Sequence, residues 1–322
     1  MSNNILRIRD LSVNYLTNRG ILKALRHVNL DIPKGSIVGV VGESGCGKST
    51  LITSIIRQLD ANADIPNGLI EFEKQDLLKL SKDKMRNISG TKISTVFQNP
   101  MSTLNPVISI GRQMIDIQYR DKASKKIKKQ RSIDMLTKVG IPDPDIQLNQ
   151  YPHELSGGMQ QRVSIAMALQ GGPSLLIADE PTTALDATLE VQILKLLKEL
   201  QEEFGCSILF ISHHLGVIAE LCDHVVVMYA GQVVEQGITH EIFNNPSHPY
   251  TVKLLECDPA SISKKQRLLP TIPGEIPDLI NLSGGCIFKN RCDQSIDRCD
   301  KDSPILNESG KDHFVSCHLT ES

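Results

Sequence analysis

Val38 to Thr50 reads VGVVGESGCGKST. It opens on small apolar residues, as a short buried strand does, and passes into a glycine-rich run. The residues from Ser49 onward, STLITSIIRQL, have the spacing of a helix. Gly42, Gly47, Lys48 and Ser49 fit the phosphate-binding pattern G-x-x-x-x-G-K-[ST] between that strand and that helix. Each residue type has a physical task there. Glycines let successive backbone N–H groups turn inward on phosphate oxygens. The helix start presents its positive end to the same anion. Lys48 is placed for the β- and γ-phosphates and the Ser49 hydroxyl for Mg²⁺. The nucleotide is therefore expected along Gly42, Glu43, Ser44, Gly45, Cys46, Gly47, Lys48, Ser49 and Thr50.

Composition narrows the setting. The 322 residues, 40% of them hydrophobic, suffice for a large core and more than one domain. A formal charge of −2 shows no polyanion-binding bias. The absence of Trp, with aromatics at 4%, argues against a base-stacking surface. Nucleic acid is not an expected partner. The N-terminus, MSNNILRIRDLSVNY, has charges inside its apolar pattern and no signal-peptide core. No apolar run approaches the ~20 residues of a membrane helix. The expectation is a chain made in the cytosol, soluble or peripheral to a membrane. In that reducing compartment eight cysteines point to metal or redox chemistry, or to buried thiols, before disulfides.

Outward from the P-loop, residues 5–13 and 28–32 alternate like two paired strands. Tyr15 follows the first of them, where an aromatic can stack on a nucleotide base or simply fill a core. The strand ISTVF, 93–97, ends at Gln98, whose amide can ligate Mg²⁺ or orient a water. Residues 107–139 have helical spacing, and the basic run within them reads as a solvated face, with anionic lipid as the lesser alternative. Leu155, Ser156, Gly157, Gly158, Met159 and Gln160 open another helix, which is either a second anion site or an ordinary serine cap. The apolar strand LLIA, 175–178, ends in Asp179 and Glu180. Ligands of parallel sheets sit at such strand ends. An Asp there can hold Mg²⁺ and a neighbouring Glu can act as general base. Ala184-Leu185-Asp186 and a helix follow. The strand SILFI, 207–211, ends in Ser212, His213 and His214, and a hairpin is expected around Ala230-Gly231.

The set GESGCGKST, FQNP, LSGGMQQR, LLIADEP, TALD and ISHH, in this order over roughly residues 5–245, resembles an ATP-binding cassette protein. The resemblance implies an α/β P-loop NTPase core with an antiparallel β subdomain and a helical subdomain near 100–170. It implies that Tyr15 stacks on adenine, and that Gln98 senses Mg²⁺, beside Ser49 and Asp179 as metal-site residues. It makes Glu180 the catalytic base and His213 the γ-phosphate switch, although the family usually has Asp where His214 stands. Asp186 would link two sites. The signature residues 155–160 would close over the nucleotide of a second cassette, and membrane permease subunits would be separate chains.

Residues 246–322 have a different character, an irregular cysteine-bearing tail in which PSHPYTVKLLE leads into a Pro/Gly-rich segment, LLPTIPGEIPDLINLSGGC, with little helical or strand pattern. Its landmarks NPSHPYT, IPGEIPDL, GCIFKNRC, DRC and SCH resemble the C-terminal extension of dipeptide and oligopeptide permease ATPases. That resemblance implies an ATPase at the cytoplasmic face of the membrane. It powers peptide import through two permease subunits, fed by an extracytoplasmic binding protein. Nickel-permease ATPases are the nearest confusable relatives, and a soluble non-transport ABC ATPase is the rival from another class. Cys286, Cys292, Cys299 and Cys317 are separated by gaps of five, six and seventeen residues. These lack the tight C-x₂₋₄-C pairs of structural zinc. Four thiolates on a weakly structured tail suit a [4Fe–4S] cluster, and although the spacing is not a ferredoxin pattern, that cluster is expected because members resembling this tail can carry one. Zinc, with His313 or His318 as substitute ligands, and free thiols in a small core are the alternatives.

Overall fold

A computed structural model describes residues 3–183, 185–258, 270–282 and 284–320. Ala184 of the TALD motif and Ser283, before Gly284 and Gly285, therefore lie outside the described residues. The chain packs as two compact units, Met1–Leu80 with Phe210–Ser322, and Ser81–Leu209.

The first unit begins with β1 (Asn4–Thr17) and β2 (Gly20–Pro33), an antiparallel pair in which Leu6 faces Ile32 and Leu11 faces Val28. The pair buries Leu6, Ile8, Leu11, Leu25, Leu30 and Ile32, and register shifts between Ile8 and Leu11 and between Leu11 and Val13 interrupt the simple alternation. β3 (Ile37–Val41) is buried throughout and leads through the glycine turn into α1 (Lys48–Ile55). β4 (Ala63–Phe72) returns along β1, and the short β5 (Gln75–Asp76) closes a four-stranded sheet in the order β2-β1-β4-β5.

The second unit carries α2 (Lys82–Ile88), β6 (Ile93–Val96), α3 (Pro100–Thr103), α4 (Ile110–Asp116), α5 (Lys125–Lys138) and α6 (Pro144–Gln147). The helix expected over 107–139 is thus two helices. Asp121 accepts from the Ala123 N–H, and Ser124 caps α5 by accepting from the Ile127 N–H. Two side chains that compete for backbone donors divide the run. α7 (Gly157–Leu169) and β7 (Leu175–Asp179) follow, with β7 parallel to β6, and then α8 (Ala187–Phe204). α8 presents Ile193, Leu194, Leu196, Leu197 and Leu200 to the core and ends on Gly205 in the left-handed conformation.

β8 (Ser207–Ile211) carries the chain from the second unit back into the first. α9 (Leu215–Leu221), β9 (His224–Tyr229) and β10 (Gln232–Ile238) come next, with the expected hairpin turning on Ala230 and Gly231 at φ 45° and 85°. α10 (Thr239–Asn244), α11 (Pro249–Glu256), α12 (Asp297–Lys301), β11 (Asn307–Gly310) and β12 (His313–Val315) complete the unit. Its second sheet runs β11-β12-β10-β9-β3. The described residues of the Pro/Gly-rich segment carry no helix or strand, as expected, while the chain beyond it returns to the sheet, where β12 pairs with β10. A buried contact fixes that pairing. The Glu235 carboxylate, fully buried, meets His313 Nε2 at 2.7 Å and accepts the Ser247 and His248 amides at 2.8 and 3.0 Å. Among the described residues no helix is long and apolar enough to cross a membrane.

Candidate functional site

β3 and β9 run parallel, and β8 ends beside β3, where the Ser212 N–H donates to the Val40 carbonyl. The P-loop leaves β3 two residues beyond Val40, and His213 follows Ser212 directly. Both exits lie at the carboxyl ends of their strands, as expected of a parallel nucleotide site. His213 and His214 are exposed, with their rings edge to face at 4.7 Å.

The glycines of the loop are sterically required. Gly42 has φ 149°, and a Cβ there would sit 2.1 Å from the Met228 carbonyl oxygen. Gly47, at φ 107°, caps α1, and a Cβ there would meet Leu25 at 2.7 Å. Lys48 is buried and donates to the carbonyls of Gly42 (2.7 Å) and Glu43 (3.2 Å) and to Cys46 Sγ (3.6 Å). The ammonium is thus held by two carbonyls and a thiol of its own loop. Cys46 is buried, and that burial pushes its thiol pKa up, against the lowering effect of Lys48. Ser44, Gly45 and Ser49 are exposed, and Thr50 is half-buried. Tyr15, half-buried on β1, stands opposite Leu22 and Ala63.

In the second unit, β6 and β7 pair in parallel with Val96 opposite Ala178. Two residues further on, that register brings Gln98 to Glu180, and the Gln98 amide donates to Glu180 Oε2 at 2.9 Å. The Thr183 hydroxyl donates to the same oxygen at 3.1 Å. Glu180 has φ 46°, uncommon for a residue with a side chain. Asp179 is the last residue of β7. Thr183 was not singled out from sequence, although its place three residues after Glu180 in a turn was a usable signal.

The signature residues divide by side. Ser156 caps α7 by accepting from the Met159 N–H, so the cap reading describes its hydroxyl within this chain. Ser156 and Gly157 are exposed, and a Cβ on Gly157 would meet nothing within 4 Å. Leu155 and Gln160 point inward. Gln160 donates to the carbonyls of Pro152 and Leu155 and so shapes the loop rather than facing outward. Gly158 lets α7 approach Leu189 of α8. Asp186 caps α8, accepting from the Thr188 and Leu189 amides at 3.0 Å each.

The tail cysteines influence one another. Burial, and then the neighbouring thiols Cys299, Cys317 and Cys292, push Cys286 up to about 11. Burial also raises Cys292 and Cys317. Among the described residues, however, no three His, Cys, Asp or Glu side chains stand together so as to hold a metal ion. The expected iron–sulfur cluster therefore finds no support in this geometry. Of the histidines named as substitute zinc ligands, His313 Nε2 meets Glu235 and His318 Nε2 the Asp302 carbonyl.

The glycine turn with its buried lysine after a parallel strand defines a P-loop nucleotide-binding protein. The family profile described as ABC transporter matches residues 25–183, and the profile for the C-terminal region of oligopeptide/dipeptide transporters matches 234–299. The chain is 43% identical over 315 residues to a probable peptide ABC transporter ATP-binding protein, y4tR, of Sinorhizobium fredii, covering 97% of this chain and 94% of that protein. It is 41% identical to the dipeptide transport ATP-binding protein DppD of Escherichia coli, covering 98% and 96%. A solved dimer of the cassette MJ0796 with ADP and Pi superposes with a TM-score of 0.65 at 29% identity, covering 73% of this chain and 98% of that one. The chain belongs to the ABC transporter ATPases, in the branch of oligopeptide and dipeptide ATP-binding proteins.

Proposed function

We propose that this ATPase hydrolyses MgATP at the P-loop to power import of dipeptides or oligopeptides through a membrane permease. The observation that carries the peptide substrate is the match of residues 234–299 to the oligopeptide/dipeptide C-terminal region. Nothing comparable favours nickel or a soluble, non-transport role. In this reading Lys48 and the P-loop amides bind the phosphates, and Ser49, Gln98 and Asp179 serve the Mg²⁺ site. Tyr15 stacks on adenine. Glu180, oriented by Gln98 and Thr183, polarises the attacking water, and His213 contacts the γ-phosphate. The exposed Ser156 and Gly157 close over the nucleotide of a second cassette, identical or related. Asp186 stands between the two sites. The functional division is a cassette over 1–245, with its helical part near 100–170, and a peptide-permease tail over 246–322. The protein acts as a peripheral subunit at the cytoplasmic face, on two permease subunits fed by an extracytoplasmic binding protein. The [4Fe–4S] cluster is a separate proposal resting on the cysteine resemblance alone, tested by iron and sulfide analysis of anaerobically purified protein.

The decisive experiment is reconstitution of this chain with its permease subunits in vesicles. ATP-dependent uptake of a labelled dipeptide, lost with Lys48→Ala, is the expected result. Uptake of Ni²⁺ without peptide, or ATPase activity indifferent to the permease, overturns the peptide reading.

A further inference from the structure

Glu43 is the first residue after Gly42 in the phosphate-binding loop, and its carboxylate adds a negative charge where a polyanion is to bind. That charge is met from 248 residues away. Arg291, in the 3₁₀ turn Lys289–Arg291 of the tail, places Nη1 2.7 Å from Glu43 Oε2 and Nη2 3.1 Å from Oε1, a two-pronged pair. Its side chain is only 4% exposed. The remaining donors are also used. Nε donates to the Pro273 carbonyl, Nη2 to that of Ile272 and Nη1 to the Tyr229 hydroxyl. All five N–H groups of the guanidinium therefore have acceptors, which a lysine could not match. Gly274, at φ 79°, leaves the Arg291 stem its room, since a Cβ there would lie 3.1 Å from Arg291 Cγ. The IPGE landmark of the tail thus has a task, because its first two carbonyls and its glycine form the seat of Arg291.

The backbone of Glu43 is held as well. Its N–H donates to the hydroxyl of buried Tyr250 at 2.9 Å, and its carbonyl accepts from Lys48 Nζ. Tyr229, Tyr250 and Phe288 pack ring to ring, with centroids 4.7 to 5.5 Å apart, and make this seat rigid. One P-loop residue is therefore gripped at its carboxylate and its amide by the segment beyond Tyr229, and at its carbonyl by the lysine that serves the phosphates.

We propose that Arg291 is a positioning residue of the ATP site, supplied by the C-terminal tail. It neutralises Glu43 and holds its carboxylate in the tail seat, so that phosphate affinity depends on a residue outside the cassette motifs. The proposal rests on the reading that ATP binds at this P-loop. If charge is what matters, the loss in an Arg291 variant grows with the charge of the ligand and is relieved by removing the Glu43 charge.

The test is titration of the full-length protein with ATP, ADP and adenosine. Arg291→Ala is expected to weaken ATP about tenfold, ADP less and adenosine little. Arg291→Ala combined with Glu43→Gln is expected to recover most of the lost ATP affinity, and Arg291→Lys to fall between wild type and Arg291→Ala. Wild-type ATP affinity in Arg291→Ala overturns the proposal. So does an equal loss for all three ligands with no relief from Glu43→Gln, which is what general loosening of the fold would produce. Should Arg291→Ala not fold, the charge-removing Arg291→Gln alone and with Glu43→Gln is read in the same way. Lys48→Ala in the same titration separates the two levels. If it binds ATP like wild type, the nucleotide site itself is elsewhere and the underlying reading fails.

Discussion

Glu180 is held in a conformation that its residue type disfavours, with φ at 46° and its carboxylate pinned by Gln98 and Thr183. Strain at a strand end persists where surrounding contacts over-determine it, and here those contacts orient one carboxylate oxygen. The amide of Glu180→Gln keeps the size and accepts the same hydrogen bonds, but it cannot take a proton from water. ATP binding is expected to survive while turnover at saturating ATP falls by about 10²–10⁴-fold. Phosphate-release assays beside an ATP titration check this, and turnover within a few-fold of wild type would remove Glu180 as the base. Gln98 and Glu180 were each legible as polar residues at the ends of apolar strands. Their hydrogen bond was not, because it follows from the parallel register of Val96 with Ala178, which a sequence does not display. Thr183, only three residues from Glu180, owes nothing to that register, and its spacing was readable as a local turn contact.

At the scale of elements, composition and spacing found most strands and misjudged helix ends. The pattern after the P-loop predicts a helix through Leu59, yet α1 stops at Ile55. Arg57 turns to φ 55° and donates to the carbonyls of Leu77 and Leu80, a tertiary demand that outweighs local propensity. The start of α11 shows another such demand. His248 is buried beside Phe288, and its Nδ1 accepts the Tyr250 N–H. Burial pushes its pKa down from 6.5 to about 3. Above pH ~6.5 neither the folded nor the unfolded chain charges it. Below that, the unfolded chain takes up a proton that the folded protein refuses until pH falls to about 3. Stability should therefore drop as pH falls, by about 2 kcal/mol from this group near pH 5. Asn offers the Tyr250 N–H an acceptor and does not titrate. In denaturant unfolding between pH 7 and 5, His248→Asn should flatten the decline seen in wild type. An unchanged slope would assign the pH dependence to other groups.

At the scale of the whole molecule, the cassette motifs were legible because each is local. The tail was harder, because what organises it is distant in sequence. Glu235 and His313 are 78 residues apart, and Glu43 and Arg291 are 248. A three-residue strand such as β12 also leaves almost no pattern to read. The next level of assembly rests on the opposite kind of evidence, an open surface. Nothing lies within 4 Å of a Cβ placed on Gly157, and no positive φ marks its backbone. An aspartate there sits in the first turn of α7, where the helix dipole favours negative charge. Gly157→Asp should therefore leave the fold and the ATP affinity of a single chain unchanged. If this turn closes on the nucleotide of a second cassette, the same carboxylate faces phosphate and blocks closure. Glu180→Gln, expected to hold ATP unhydrolysed, should form an ATP-dependent dimer by light scattering. Adding Gly157→Asp should return it to monomer, with melting temperature and single-chain ATP binding preserved. An undiminished dimer in the double variant would mean that the surface of α7 around Gly157 faces solvent in the assembly, and that each site is completed from within one chain.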